Sequence, residues 1–225
     1  MIYTFWEGEM PSYIELCMMT WKVPFTILNY KNLLDYTDLN LEPLKRFTLP
    51  QIADVVRVHV LRDRGGYWLD ADTIMITGEL PDADMVGDPE QRINNIGFLY
   101  SNPHSRMFTE WATYQDGIIN GCGDSANWAI MGNAFTDVYV KAHTEVRIHP
   151  AKNCFPETYM ITEDMPRYRK YQQFYFQEHY TLSHIIKTDL LMLHNSWTPG
   201  WYKNLTTREV LSADCTLSNI LKASL

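Results

Sequence analysis

Cysteine is scarce in this chain. Its four copies, Cys17, Cys122, Cys154 and Cys215, show no C-x-x-C spacing. That excludes a dense disulfide framework and leaves reduced thiols in a cytosolic protein as the expectation. Positive charge is also short: 19 Lys and Arg against 27 Asp and Glu leave a net charge of −8. The charges are spread along the chain rather than gathered in blocks, which argues against a nucleic-acid partner. No apolar run approaches the ~20 residues needed to cross a bilayer. The opening Met1-Ile2-Tyr3-Thr4-Phe5-Trp6 lacks the basic start and long apolar core of a signal peptide. A soluble, cytoplasmic protein follows as the expectation. Internal repeats, low-complexity tracts and linkers are missing too, so residues 1–225 read as a single domain.

What is present is an α/β alternation. Residues 2–6 read as a buried strand, a helix is expected near 11–21, and Phe25-Thr-Ile-Leu-Asn29 is a second strand with a short helix at 31–36. This order builds parallel α/β sheets. Pro50 opens a strong helix over 51–61 that Gly65-Gly66 ends. A strand then runs through Asp70-Ala71-Asp72, and 73–76 continue extended. Further strands are expected at 94–100 and 190–194, and helices at 103–119 and 127–142, with a less regular, aromatic-rich last third. Thr206 to Leu225 stops inside a plausible helix, which is consistent with a first domain of a longer polypeptide.

Gly65-Gly-Tyr-Trp-Leu-Asp-Ala-Asp72 is the most informative stretch. In a strand, alternate residues share a face, so Asp70 and Asp72 would point together and Ala71 away. Two hard oxygen ligands on one face suit Mg²⁺ or Mn²⁺, which can in turn hold a diphosphate. An acidic protein binding a diphosphate needs such a cation to offset repulsion. The same letters recur at Asp82-Ala83-Asp84, after Pro81 and with no preceding strand, and there they read as a solvated turn. Along the helix at 51–61, Asp54 and Arg57 are spaced i, i+3 and can pair. They are a structural salt bridge or, since buried pairs add little stability, a pocket lining with Arg57 toward a phosphate or sugar and Asp54 toward a hydroxyl. Trp6 ends the first strand, where it is core or stacks on a base. His194 ends an apolar strand and heads a polar loop, where imidazole could complete an oxygen and nitrogen shell begun by the carboxylates. Asp124 follows Gly121-Cys-Gly, as a helix N-cap or as a carboxylate beside an acceptor hydroxyl.

Together, Ala53-Asp54-Val-Val-Arg57 and Gly65-Gly66-Tyr-Trp-Leu-Asp70-Ala-Asp72 resemble the signature of GT-A glycosyltransferases with a DxD motif. The likeness is to the DxD sugar-transferase group that includes capsular polysaccharide synthesis proteins and yeast-type mannosyltransferases. Asp54 and Asp70 lie sixteen residues apart, similar to clostridial glucosylating toxins. Tyr3-Thr-Phe-Trp6-Glu-Gly8 and Cys17-Met-Met-Thr-Trp21-Lys22 resemble the group's first strand and helix, and His194-Asn-Ser-Trp197 its closing H-x-x-W segment. Residues 100–185 match loosely. Chain size is similar to the first domain of glycosyltransferases from large algal viruses, which would place the protein in a host cytoplasm.

The resemblance implies one Rossmann-like GT-A nucleotide-sugar-binding domain, with a mixed, mostly parallel central sheet flanked by helices. Residues 1–100 would form the nucleotide-sugar and metal half, and 101–225 the acceptor half with the closing metal-ligand loop. It implies Mn²⁺ or Mg²⁺ on Asp70, Asp72 and His194. It implies donor contacts from Thr4, Trp6, Asp54, Arg57, Tyr67, Asp70 and Trp197. The pattern's aromatic two residues before the first DxD Asp is here Trp68, with Tyr67 before it. A nucleoside-diphosphate sugar, UDP-linked by preference, would donate to a glycan or glycoprotein. The metal, aided by Arg57, would offset charge on the departing phosphate. Asp124 would be the base if the outcome is inversion. Two rivals differ in class. A haloacid-dehalogenase-type phosphatase also carries D-x-D after a strand, but has Thr or Val where Ile74 stands. A non-catalytic nucleotide-sugar-binding module would keep the pocket without an acceptor site.

Overall fold

The computed structural model describes all residues except 91–92, 122–126, 128, 182, 184 and 186–187. In chain order its principal elements are β1 (Ile2–Phe5), α1 (Ser12–Met19), β2 (Phe25–Leu28), α2 (Leu49–Arg64), β3 (Gly66–Leu69), β4 (Thr73–Met75), β5 (Met85–Asp88), β6 (Ile93–Ser101), α3 (Arg106–Asn120), α4 (Asn133–Ala142), β7 (Ile148–Pro150), α5 (Pro156–Met160), α6 (Arg167–Gln172), β8 (Leu190–Met192), α7 (Gly200–Lys203), α8 (Thr207–Ser212) and α9 (Thr216–Ser224). The chain folds into two compact units that alternate along it. The first comprises Met1–Glu7, Phe25–Leu69 and Asp82–Pro150; the second comprises Gly8–Pro24, Asp70–Pro81 and Ala151–Leu225.

The first unit is built on a six-stranded sheet in the order β2-β1-β3-β6-β5-β7. β1 runs parallel to β2 and β3, β6 is antiparallel to β3 and β5, and β7 is parallel to β5. The sheet is therefore mixed and mostly parallel, as the resemblance implies. The apolar stripe of α2 (Ile52, Val55, Val56, Val58, Val60, Leu61) joins Tyr3, Phe5, Trp68 and Leu99 from the strands and Phe108 and Trp111 from α3 in one core. α2 starts at a capping box, with Gln51 Oε1 accepting the Thr48 N–H at 3.0 Å. It stops where the sequence places Gly65-Gly66. Gly65 has φ +63° and Gly66 φ +91°, a region that side chains rarely tolerate. A Cβ on Gly66 would also lie 2.7 Å from the Met1 carbonyl oxygen, so only glycine lets β3 come up beside β1.

The second unit pairs β4 with β8, antiparallel, in a separate two-stranded sheet. α1 supplies buried Tyr13, Ile14, Leu16 and Cys17. Trp21 Nε1 donates to the Thr73 carbonyl at 2.8 Å, and Thr20 Oγ1 accepts the Met75 N–H at 2.8 Å, tying the end of α1 to β4.

Local expectations are met at β1, β2, α2, β6 and β8 to within a few residues. Three corrections follow. Asp70-Ala71-Asp72 is a turn, not strand: the Thr73 N–H bonds back to the Asp70 carbonyl at 3.0 Å. Strand alternation therefore does not set where the two carboxylates point. The helix expected over 127–142 starts at Asn133. Asp82-Ala83-Asp84 is a bend, but not merely a solvated one: Arg147 Nη2 donates to Asp84 Oδ1 at 2.8 Å and Nη1 bonds Asp82 Oδ1, while Ala83 is buried. The short strands β5 and β7 have no counterpart in the sequence reading.

Candidate functional site

In the first unit, Asp54 and Arg57 form the expected pair on α2. Arg57 Nη2 lies 2.9 Å from Asp54 Oδ1, and both residues are buried. The guanidinium is turned inward: Nη1 donates to the Ile96 carbonyl, and the plane lies 5.1 Å from the Trp68 ring centroid. Desolvating two charges is costly, and the carbonyl of Ile96 and the Trp68 ring offset part of that cost for the guanidinium. Gly132 completes the enclosure. A Cβ there would lie 3.0 Å from Asp54 Oδ2 and would collide with Ile96 Cδ1. Gln115 Nε2 donates to the Asp54 carbonyl at 3.0 Å and to that of Met131 at 2.6 Å, so Asp54 and the approach to Gly132 share one anchor.

Trp6 follows β1, is half-buried, and its N–H bonds the Leu28 carbonyl at 2.9 Å, continuing the β1–β2 ladder. Thr4 is fully buried, and its Oγ1 has no hydrogen-bond partner among the described residues. Tyr67 alternates with Trp68 on β3. Trp68 lies under Arg57, whereas the Tyr67 ring lies against Tyr100 and Phe98, at 4.7 and 6.1 Å between centroids. The structure thus gathers Asp54, Arg57 and Trp68 and sends Tyr67 to the other face of the strand. Asp124 lies outside the described residues.

In the second unit, Asp72 and the segment after His194 come together. The Asn195 N–H donates to Asp72 Oδ2 at 2.7 Å, and the Leu193 N–H to the Asp72 carbonyl at 3.1 Å. Asn195 Oδ1 in turn accepts the Tyr13 hydroxyl at 2.6 Å. Burial, with Asp72's negative charge adding to it, raises the pKa of Tyr13, which holds the phenol as a donor. Asp70 opens the turn that ends at Asp72 and is half-buried.

His194 sits in an aromatic box. Its ring is nearly parallel to Phe155 (centroids 5.7 Å, 14°), edge-on to Tyr171 and 3.9 Å from Trp197. The Trp197 and Thr198 N–H groups both bond the His194 carbonyl, at 2.9 and 3.1 Å, so the turn holds the indole beside the imidazole. Burial, then the charge of Arg167, lowers the His194 pKa to about 3, and its Nε2 has no partner among the described residues. A neutral imidazole with an orphaned nitrogen, taken with the carboxylates of Asp70 and Asp72, is a donor set whose chemistry suits Mn²⁺ or Mg²⁺. As they stand, no three His, Cys, Asp or Glu among the described residues are grouped to hold an ion.

Several contributors were not legible in advance. Tyr13 and Asn195 act through contacts 182 and 123 residues apart, Tyr171 through His194 and Thr198 on a later segment, and no spacing signals them. Gly132 falls inside the helix expected over 127–142, and nothing in that reading sets it apart.

The profile of a family described as capsular polysaccharide synthesis protein matches residues 2–204. A solved structure titled PaToxG Glycosyltransferase is similar over 64% of this chain and 68% of its own, with 15% identity and a TM-score of 0.43. No curated protein matches the chain. Among the described residues, no helix is long and apolar enough to cross a membrane.

Proposed function

Because the chain belongs to the capsular polysaccharide synthesis protein family, we propose that it is a metal-dependent glycosyltransferase. It moves a sugar from a nucleoside-diphosphate donor, UDP-linked by preference, to a glycan or glycoprotein acceptor. The observation that carries this reading is the bond from the Asn195 amide to Asp72 Oδ2, at 2.7 Å across 123 residues. It joins the second carboxylate of the DxD turn to the H-x-x-W segment, the two parts of the motif that would serve one metal and one diphosphate.

The roles are assigned residue by residue. Trp6 stacks on the base, and Asp54, held in place by Arg57, faces a sugar hydroxyl. Asp70, Asp72 and His194 would hold Mn²⁺ or Mg²⁺, whose Lewis acidity offsets charge on a departing diphosphate when it is bound. Asn195 fixes the Asp72 carboxylate, Tyr13 fixes Asn195, and Trp197 closes over the phosphates. Asp124 is the base that an inverting outcome needs; a retaining outcome needs none.

Calorimetric titration with UDP, GDP, CDP and ADP, each with and without Mn²⁺, tests this. Tight binding of one nucleotide that requires Mn²⁺ is expected. Asp72→Asn is expected to abolish that metal-dependent binding while the circular dichroism spectrum is unchanged. Binding by none of the four, or full transfer activity in the variant, would sink the reading.

A further inference from the structure

Arg167, on the first turn of α6, has surroundings that a mere surface arginine does not need. Its guanidinium lies 4.5 Å from the Phe155 ring centroid and 5.8 Å from that of Trp197. Two aromatic faces thus fix the plane of a cation whose side chain remains 42% exposed. Nε is spent on Thr158 Oγ1, at 3.2 Å. Nη2 is 3.9 Å from Glu157 Oε1, beyond hydrogen-bond range, and Nη1 has no hydrogen bond among the described residues.

The carboxyl beneath it compensates it only in part. Glu157 is completely buried, and desolvation raises its pKa to about 7 in spite of Arg167. A positioned, under-compensated guanidinium therefore stands against Trp197, in a chain of net charge −8. A planar fork with outer N–H groups left over matches a phosphate better than any neutral ligand.

We propose that Arg167 is a donor-binding residue, its outer N–H groups holding the diphosphate of the nucleotide sugar beside Trp197. This rests on the glycosyltransferase reading above. Phe155 is then a positioning residue, which orients the guanidinium without touching the donor.

The test takes the nucleoside diphosphate that the wild-type chain binds with Mn²⁺, together with the corresponding nucleoside. Arg167→Met and Arg167→Lys are compared by calorimetry, with thermal melting to check the fold. Arg167→Met is expected to weaken the diphosphate at least about tenfold, the loss of one charge-assisted contact, and to leave the nucleoside within about twofold. Arg167→Lys should fall in between, since it restores charge without the fork. Unchanged diphosphate binding in Arg167→Met, or equal loss of diphosphate and nucleoside, would overturn the assignment. A wild-type chain that binds none of the nucleotides would instead remove the reading beneath it, and the assignment with it.

Discussion

At the scale of single residues, the clearest lesson is how Asp54 is accommodated inside the protein. Arg57 pairs with it, Gln115 anchors its backbone, and Gly132 leaves room for its carboxylate. The pair was legible from the i, i+3 spacing, because an α-helix places those side chains on one face whatever the rest of the chain does. The glycine was not, because its reason is a neighbour 78 positions earlier. Gly132→Ala should cost about 1–3 kcal/mol, the usual range for an overpacked site, as read by chemical denaturation. Adding Ile96→Val should recover part of the loss by relieving the collision with Cδ1, while the contact with Asp54 remains. A neutral Gly132→Ala would show that Asp54 is not confined there.

At the scale of elements, glycine changes meaning with its surroundings. Gly66 carries φ +91° at the start of β3, with a backbone oxygen where its Cβ would be. Gly117 lies inside α3 with nothing within 4 Å of that position. The same substitution should therefore change sign. Gly66→Ala is expected to destabilise by about 2 kcal/mol or more, from left-handed strain together with the clash. Gly117→Ala should stabilise by roughly 0.5–1 kcal/mol through helix propensity. Equilibrium unfolding of the two variants side by side checks both signs. The sequence foretold the first case, since a glycine pair after an apolar helix reads as a stop. It misled at the DxD tripeptide, where strand alternation was extended past Leu69 although the chain turns there. The bond that makes the turn, from the Thr73 N–H to the Asp70 carbonyl, belongs to no periodic pattern.

At the scale of the whole molecule, burial displaces the protons of His59 in the first unit and Glu157 in the second, in opposite senses. In the first unit, burial and then the charge of Arg62 lower His59 from 6.5 to about 4, against the opposing pull of Asp116, Asp63 and Asp38. In the second, burial raises Glu157 from 4.5 to about 7. For His59 the unfolded chain takes the proton first, so its contribution is intact above pH 6.5 and is lost as pH falls toward 4. For Glu157 the unfolded chain releases the proton first, so its contribution is intact below pH 4.5 and is lost as pH rises toward 7. Each displacement corresponds to about 3 kcal/mol across its window. Between pH 4.5 and 6.5 these two slopes oppose one another. Relative to wild type, Glu157→Gln should gain stability steadily from pH 5 to pH 7, and His59→Leu should gain it from pH 6.5 down to pH 4. Denaturation midpoints at half-unit intervals measure both. A difference that does not vary with pH would mean that the group titrates normally in the folded chain.

The sequence alone determined whatever is decided within a few residues. That covers the strands β1 and β2, the start and stop of α2, the pairing of Asp54 with Arg57, and the motif by which the family was recognised. Helix and strand periodicities, caps and glycine stops are local rules, and a short window contains all their terms. Only the tertiary structure decided the sheet order, the face that Tyr67 takes, the aromatic box around His194, and the bond that sets Asn195 on Asp72. Those depend on which distant segments pack together. A contact across 123 residues is chosen by the burial of whole elements, and no spacing along the chain records it.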